Sequence, residues 1–97
     1  MTVNIERNYE LITLKISGRL DTATAMNLEK IINDLPEDTK ELVLDMSGVE
    51  YLSSAGIRVL LGAYKKMSIN QGTMRIEKAC DMVREVFEMT GLLAMLE

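Results

Sequence analysis

Between Glu41 and Met67 the chain runs from a continuous apolar segment, through a corner of two serines, into an apolar stripe at helical spacing. Few folds accommodate that order. Leu42, Val43 and Leu44 predict a short strand buried on both faces, with Ser47-Gly48 as the break after it. Ile57, Leu60, Leu61 and Tyr64 share one stripe of a helix that begins at Ser53-Ser54. The first turn of a helix presents N–H groups with no intrahelical acceptor and the positive end of the helix dipole. Hydroxyls there suit a side-chain cap, an anion or a phosphoryl group.

The flanking sequence supplies the rest of the architecture. Thr2 to Arg7 puts Val3 and Ile5 on one side and Thr2, Asn4 and Glu6 on the other, the period of a strand, expected at a sheet edge. Asn8-Tyr9-Glu10 is short enough for a hairpin, and Leu11 to Ser17 alternates Ile12, Leu14 and Ile16 with Thr13, Lys15 and Ser17. Gly18 is expected to end this second strand. Asp21 is placed to cap a helix with the stripe Leu28, Ile31, Ile32 and Leu35; Pro36 stops it, and Glu37 to Lys40 is a polar loop. After the Tyr64 helix, Asn70-Gln71-Gly72 offers a turn with a glycine for the left-handed cap. Thr73 to Glu77 points Met74 and Ile76 inward, and Asp81 to Thr90 carries Val83, Val86 and Phe87 at helical spacing until Gly91 closes it. Leu92 to Leu96 is apolar, and is expected to pack as a last half-turn or to be the stub of a further element.

The order strand, strand, helix, strand, helix, strand, helix implies one α/β domain over residues 1–97. Its sheet is four-stranded and mixed, in the order 1-2-3-4. The first strand is antiparallel, the others are parallel through right-handed crossovers, and the helices lie chiefly on one face. Ligands and partners of such sheets gather at the carboxyl ends of the strands, where the Ser53-Ser54 corner falls.

Composition narrows the chemistry. Ninety-seven residues, 47% hydrophobic and 27% charged, match an ordinary globular domain, long enough to bury roughly 60–65% of its unfolded surface. A net charge of −4 with scattered Lys and Arg argues against direct nucleic-acid binding. No apolar run approaches a membrane span and the amino terminus lacks a signal-peptide pattern, so a cytoplasmic location is expected. Zero histidines and one cysteine remove the usual zinc sites, Ser-His-Asp and Cys-His catalysis, and an intrachain disulfide. There is no P-loop, dinucleotide fingerprint or nucleophile elbow, and Ser53-Ser54-Ala55-Gly56 lacks the first glycine of the last. No catalytic residue, metal site or cofactor is expected, and a nucleotide-binding module is a distant third to the readings below.

Each singled-out residue also has a plain structural role to offer. Ser53 or Ser54 can be an N-cap, which contributes about 1 kcal/mol, and Asp21 suits a cap better than a binding contact. Cys80 reads as a buried structural thiol. The methionines read as core filler, except that Met46, close to the corner, could give an adaptable contact surface. Gly48, Gly56 and Gly62 suit turns and close packing.

Three motifs carry a family resemblance over nearly the whole chain. Gly18-Arg19-Leu20-Asp21, Leu44-Asp45-Met46-Ser47-Gly48-Val49 and Tyr51-Leu52-Ser53-Ser54-Ala55-Gly56-Ile57 together resemble the STAS domain, whose single-domain members are bacterial anti-sigma factor antagonists. Met89-Thr90-Gly91-Leu92 resembles its closing signature. In the phosphorylatable members the corner reads Asp-Ser-Ser/Thr-Gly, and the serine after the aspartate is the kinase target. Ser54 takes the place of that target and Gly56 that of the glycine; Ser53 stands in place of the aspartate and Ala55 in place of the second hydroxyl residue. The resemblance implies a switch. The unmodified protein binds an anti-sigma factor that is also a serine kinase, a sigma factor is released, phosphorylation of Ser54 (or Ser53) ends the binding, and a metal-dependent protein phosphatase resets it. The implied partner surface comprises Asp21, Met46, Ser53, Ser54, Gly56, Ile57 and Arg58.

Two functions of different class stay open. One is this phospho-switch; the other is a non-switching interaction subunit of the same fold, as a signalling scaffold or a cytosolic subunit of a membrane transporter. Serine at the site favours the first, and loss of the aspartate favours the second.

Overall fold

Alternating side chains at the amino terminus are realised as an antiparallel pair, β1 (Thr2–Asn8) and β2 (Leu11–Leu20), joined by a two-residue turn in which Tyr9 is left-handed. The computed structural model describes residues 1–92. The chain continues as α1 (Thr22–Asn33), β3 (Glu41–Leu52), α2 (Ser54–Ile69), β4 (Thr73–Glu77) and α3 (Asp81–Thr90). One mixed sheet has the order β1-β2-β3-β4, antiparallel between the first two strands and parallel between the others. This is the expected architecture. The tail from residue 93, on which the reading of a last half-turn falls, lies outside the described residues; Leu92 packs against the core.

The core forms where Ile12, Leu14 and Ile16 of β2 align with Leu42, Leu44 and Met46 of β3 and Ile76 of β4. Ala25, Leu28 and Ile32 of α1 and Leu60, Ala63 and Met67 of α2 close over them, and Val83 and Phe87 of α3 join the same cluster. The buried stripe of α2 is thus turned from the expected one. Leu60 is common to both, but Ile57, Leu61 and Tyr64 are half-buried at its flank. On β1 the helices give less cover than the alternation suggests: Val3 is half-buried and Ile5 is 54% exposed, because β1 is the edge strand farthest from them.

Two breaks expected from glycine are absent. Gly18 does not end β2; it sits inside the strand at φ +95°, and pairing continues to Leu20. Ser47-Gly48 does not end β3 either. The β2–β3 register slips between Lys15 and Ser17 and again between Gly18 and Arg19, each time with one more residue on β3. Bulges of this kind absorb a residue without breaking the ladder and keep the buried side chains on their face, so Val49 and Leu52 stay buried beside Leu20. Gly48 is needed because a Cβ there would lie 2.6 Å from the Ser17 Cβ. The consequence is a twelve-residue β3 that delivers the serine corner well beyond the end of β4.

The turn after α2 also differs in detail. Gln71, not Gly72, takes the left-handed conformation. Gly72 serves close approach, since a Cβ would meet the Lys40 carbonyl oxygen and the Met67 Cε, both at 2.7 Å. Gly62, by contrast, serves neither a turn nor close packing: it is exposed, with nothing within 4 Å of a Cβ built there.

Candidate functional site

At the carboxyl ends of β2 and β3 two helices begin side by side. The Ser53 N–H donates to the Leu20 carbonyl at 2.9 Å, which ties the start of α2 to the start of α1. Asp21 caps α1 in a reciprocal arrangement: its Oδ1 accepts from the Thr24 N–H at 3.0 Å, and its own N–H donates to the Thr24 Oγ1 at 2.8 Å. That is a capping box with Thr in place of the usual Glu. Hydrogen bonds from Thr24 hold the Asp21 carboxyl below its ordinary pKa. Asp21 is therefore a cap, with its carboxylate committed to the helix.

The two serines of the corner divide two tasks. Ser53 is the N-cap of α2, extended at φ −88° and ψ 168°, and its Oγ accepts from the Gly56 N–H at 3.1 Å. Ser54 is the first helical residue and is exposed, while Ser53 is half-buried. One orphan donor of the first turn is thus satisfied by Ser53, and helix geometry leaves the N–H groups of Ser54 and Ala55 without an intrahelical acceptor. No acidic side chain lies in that turn to compete for them.

Gly56 locks the corner to the sheet. It is buried, and a Cβ there would lie 2.8 Å from Leu20 Cγ, 2.9 Å from Leu52 Cδ1 and 3.1 Å from the Leu20 carbonyl oxygen. Only a residue without a side chain lets α2 start so close to β2. Ile57 is half-buried and Arg58 exposed on the next positions of the helix. Met46 does not belong to this surface. It is fully buried in the core, continuing the inward alternation of Leu42 and Leu44 along β3, so the expected adaptable contact is a packing residue instead.

Asp45, farther back along β3, is structural too. Asp45 Oδ1 accepts from the Ser47 N–H at 3.0 Å, and Lys78 Nζ lies 3.7 Å from Oδ2. The Ser47 N–H is the main cause that lowers its pKa. Cys80 is exposed rather than buried, at the N-cap of α3 with its Sγ 3.7 Å from the Val49 carbonyl. Among the described residues no group of three or more His, Cys, Asp or Glu is placed to hold a metal ion, and no helix is long and apolar enough to cross a membrane.

One pair at the rim escaped the sequence reading. Arg19 and Tyr51 are partners across the β2–β3 ladder, and the guanidinium stacks on the phenol ring, 4.2 Å from its centroid. The pairing depends on the second bulge, which no local pattern announces. What could have drawn attention to it is an aromatic and an arginine, each just before a helix start.

The family model of the STAS domain matches residues 2–97. The anti-sigma-B factor antagonist of Staphylococcus aureus (strain NCTC 8325 / PS 47) is 28% identical over 95 residues, which span 95% of this chain and 88% of that one. Among solved structures, an anti-sigma factor antagonist from Mycobacterium paratuberculosis is 29% identical with a TM-score of 0.80, over 98% of this chain and 81% of that one. The unphosphorylated form of the anti-sigma factor antagonist SpoIIAA superposes with a TM-score of 0.88 over 99% of this chain and 86% of its own, at 18% identity, which speaks to the fold alone.

Proposed function

The chain belongs to the STAS domain family, and on that footing we propose that it is an anti-sigma factor antagonist that binds an anti-sigma factor with serine kinase activity and lets go when Ser54 is phosphorylated. The observation that carries the proposal is the division of labour at the corner. Ser53 is spent on capping α2, whereas Ser54 is exposed, makes no cap and begins the helix. A kinase reaches such a hydroxyl without unfolding anything. Ser53 would then be a positioning neighbour, and Asp21 would act by fixing the start of α1 beside it.

The effect of the modification follows from charge. A phosphate adds about −1.5 to −2 at the start of α2, where the dipole and free N–H groups stabilise it within the domain. A partner packed over Ser54, Ile57 and Arg58 meets instead a bulky dianion on a protein that already carries a net charge of −4. A loss of about 3 kcal/mol in binding weakens it roughly a hundredfold, enough for a switch. A protein phosphatase that removes the phosphate restores binding. The protein itself is a binding partner and not a catalyst in this scheme.

Incubation with the cognate kinase and ATP tests the assignment. One phosphate is expected on the peptide containing Tyr51 to Arg58, and fragmentation is expected to locate it on Ser54. Phosphate on Ser53, or none at all, would remove the switch and leave the non-switching interaction subunit, a reading that the neutral Ser53 in place of the family's aspartate favours.

A further inference from the structure

The guanidinium of Arg19 is held at the rim without a polar partner. It rests on the Tyr51 ring, 4.2 Å from the centroid, and no hydrogen bond or ion pair among the described residues occupies it. Its backbone is fixed: Gly18 before it is left-handed, and the Arg19 carbonyl accepts from the Thr24 Oγ1 at 2.7 Å. Leu20 and Leu52 point into the core, so strand alternation turns Arg19 and Tyr51 to the opposite face. Both nevertheless sit where the strands end. The residue after Arg19 accepts a 2.9 Å hydrogen bond from Ser53, the residue before Ser54. The charge of Arg19 is also felt by the Asp21 carboxylate, at the start of α1 on the same rim.

We propose that Arg19 is the counter-ion of a phosphate on Ser54, kept in readiness on the Tyr51 ring and drawn from ring to phosphate by the modification. The inference rests on Ser54 being the modified residue. Stacking on an aromatic face leaves the planar edge of a guanidinium, with its five donors, turned outward. A phosphate dianion presents three acceptor oxygens to which that fork can bond in pairs, a stronger contact than an exposed ring provides. The strand ladder pairs Arg19 with Tyr51, and the Leu20–Ser53 hydrogen bond ties the residue after Arg19 to the residue before Ser54, so in this proposal the side chain swings around the end of the strands while the backbone stays in place. The corner thus offers a phosphate two kinds of donor, the first-turn N–H groups of α2 and a mobile cation.

The test uses the full chain with phosphoserine installed at position 54 during translation, so that no kinase is needed. Phosphorus NMR then follows the second ionisation of the phosphate against pH in wild type, Arg19→Gln and Arg19→Lys. A neighbouring cation favours the dianion, so the wild-type pKa is expected below that of Arg19→Gln by at least about 0.5 unit. Arg19→Lys is expected between them, because an ammonium keeps the charge and loses the fork. Circular dichroism of the unmodified variants confirms that the exposed substitution leaves the fold intact. Superimposed titration curves for wild type and Arg19→Gln would overturn the inference. Kinase labelling at a residue other than Ser54 would instead end the functional reading, and the titration on installed phosphoserine would still report on Arg19.

Discussion

Adding one methyl group at Gly56 should loosen the corner, while adding one at Gly62 in the same helix should do the opposite. At Gly56 the new Cβ would meet two leucine side-chain carbons at 2.8 and 2.9 Å and a backbone oxygen at 3.1 Å. Leu20 is fully buried and Leu52 nearly so, which leaves them little room to yield. Overpacking of this kind typically costs about 1–3 kcal/mol. The helix gains at most about 1 kcal/mol from replacing Gly by Ala, and less in its first turn. The net is a destabilisation of about 1–2 kcal/mol. Each kcal/mol moves the thermal midpoint of a domain this size by roughly 4–8 °C. Gly62 is exposed in the helix interior with no neighbour to meet, so Gly62→Ala should stabilise by about 0.5–1 kcal/mol through propensity alone. Urea unfolding of both variants, compared at unchanged m-value, reads the two signs directly. A Gly56→Ala protein as stable as wild type would refute the close approach of α2 to Leu20 on which the corner's geometry depends.

The remaining predictions separate the roles of neighbouring polar groups. Ser53→Ala should cost about 1 kcal/mol in the same unfolding assay by freeing the Gly56 N–H, whereas Ser54→Ala should change stability by less than about 0.5 kcal/mol. Asp21 and Asp45 both have folded pKa values below the ordinary one, so each adds stability above the unfolded value of about 4 that is lost as the pH falls through the folded value. Thermal midpoints measured from pH 6 down to pH 2 should therefore fall below about pH 4, and the fall should be shallower in Asp21→Asn and in Asp45→Asn. An unchanged acid limb in both variants would show that other carboxylates set it.

Strand order, helix positions and the place of the corner were legible because each rests on a local pattern: alternation in β1 and β2, the stripe around Leu28 and Ile32, the cap at Asp21. What was not legible depends on register. Ser47-Gly48 and Gly18 carry the composition of a break, and only pairing across β2 and β3 turns them into a bulge and a left-handed strand residue. Met46 lies two residues after Leu44, and with a strand end expected at Ser47-Gly48 it looks free to face the corner; because the strand runs on to Leu52, it continues the inward alternation of Leu42 and Leu44 and is buried. The Arg19–Tyr51 stack needs the second bulge as well. At the corner itself, sequence placed both serines at a helix start, and the division between capping and exposed hydroxyl required the Ser53 Oγ to Gly56 N–H hydrogen bond.

The central claim is that a phosphate on Ser54 ends partner binding while leaving the domain folded. Calorimetric titration of the anti-sigma factor partner into unmodified and Ser54-phosphorylated protein measures this directly. The account predicts an affinity lower by roughly a hundredfold for the phosphorylated form, equivalent to about 3 kcal/mol, with unmodified Ser54→Ala binding like wild type. Equal affinities for the two forms would contradict it.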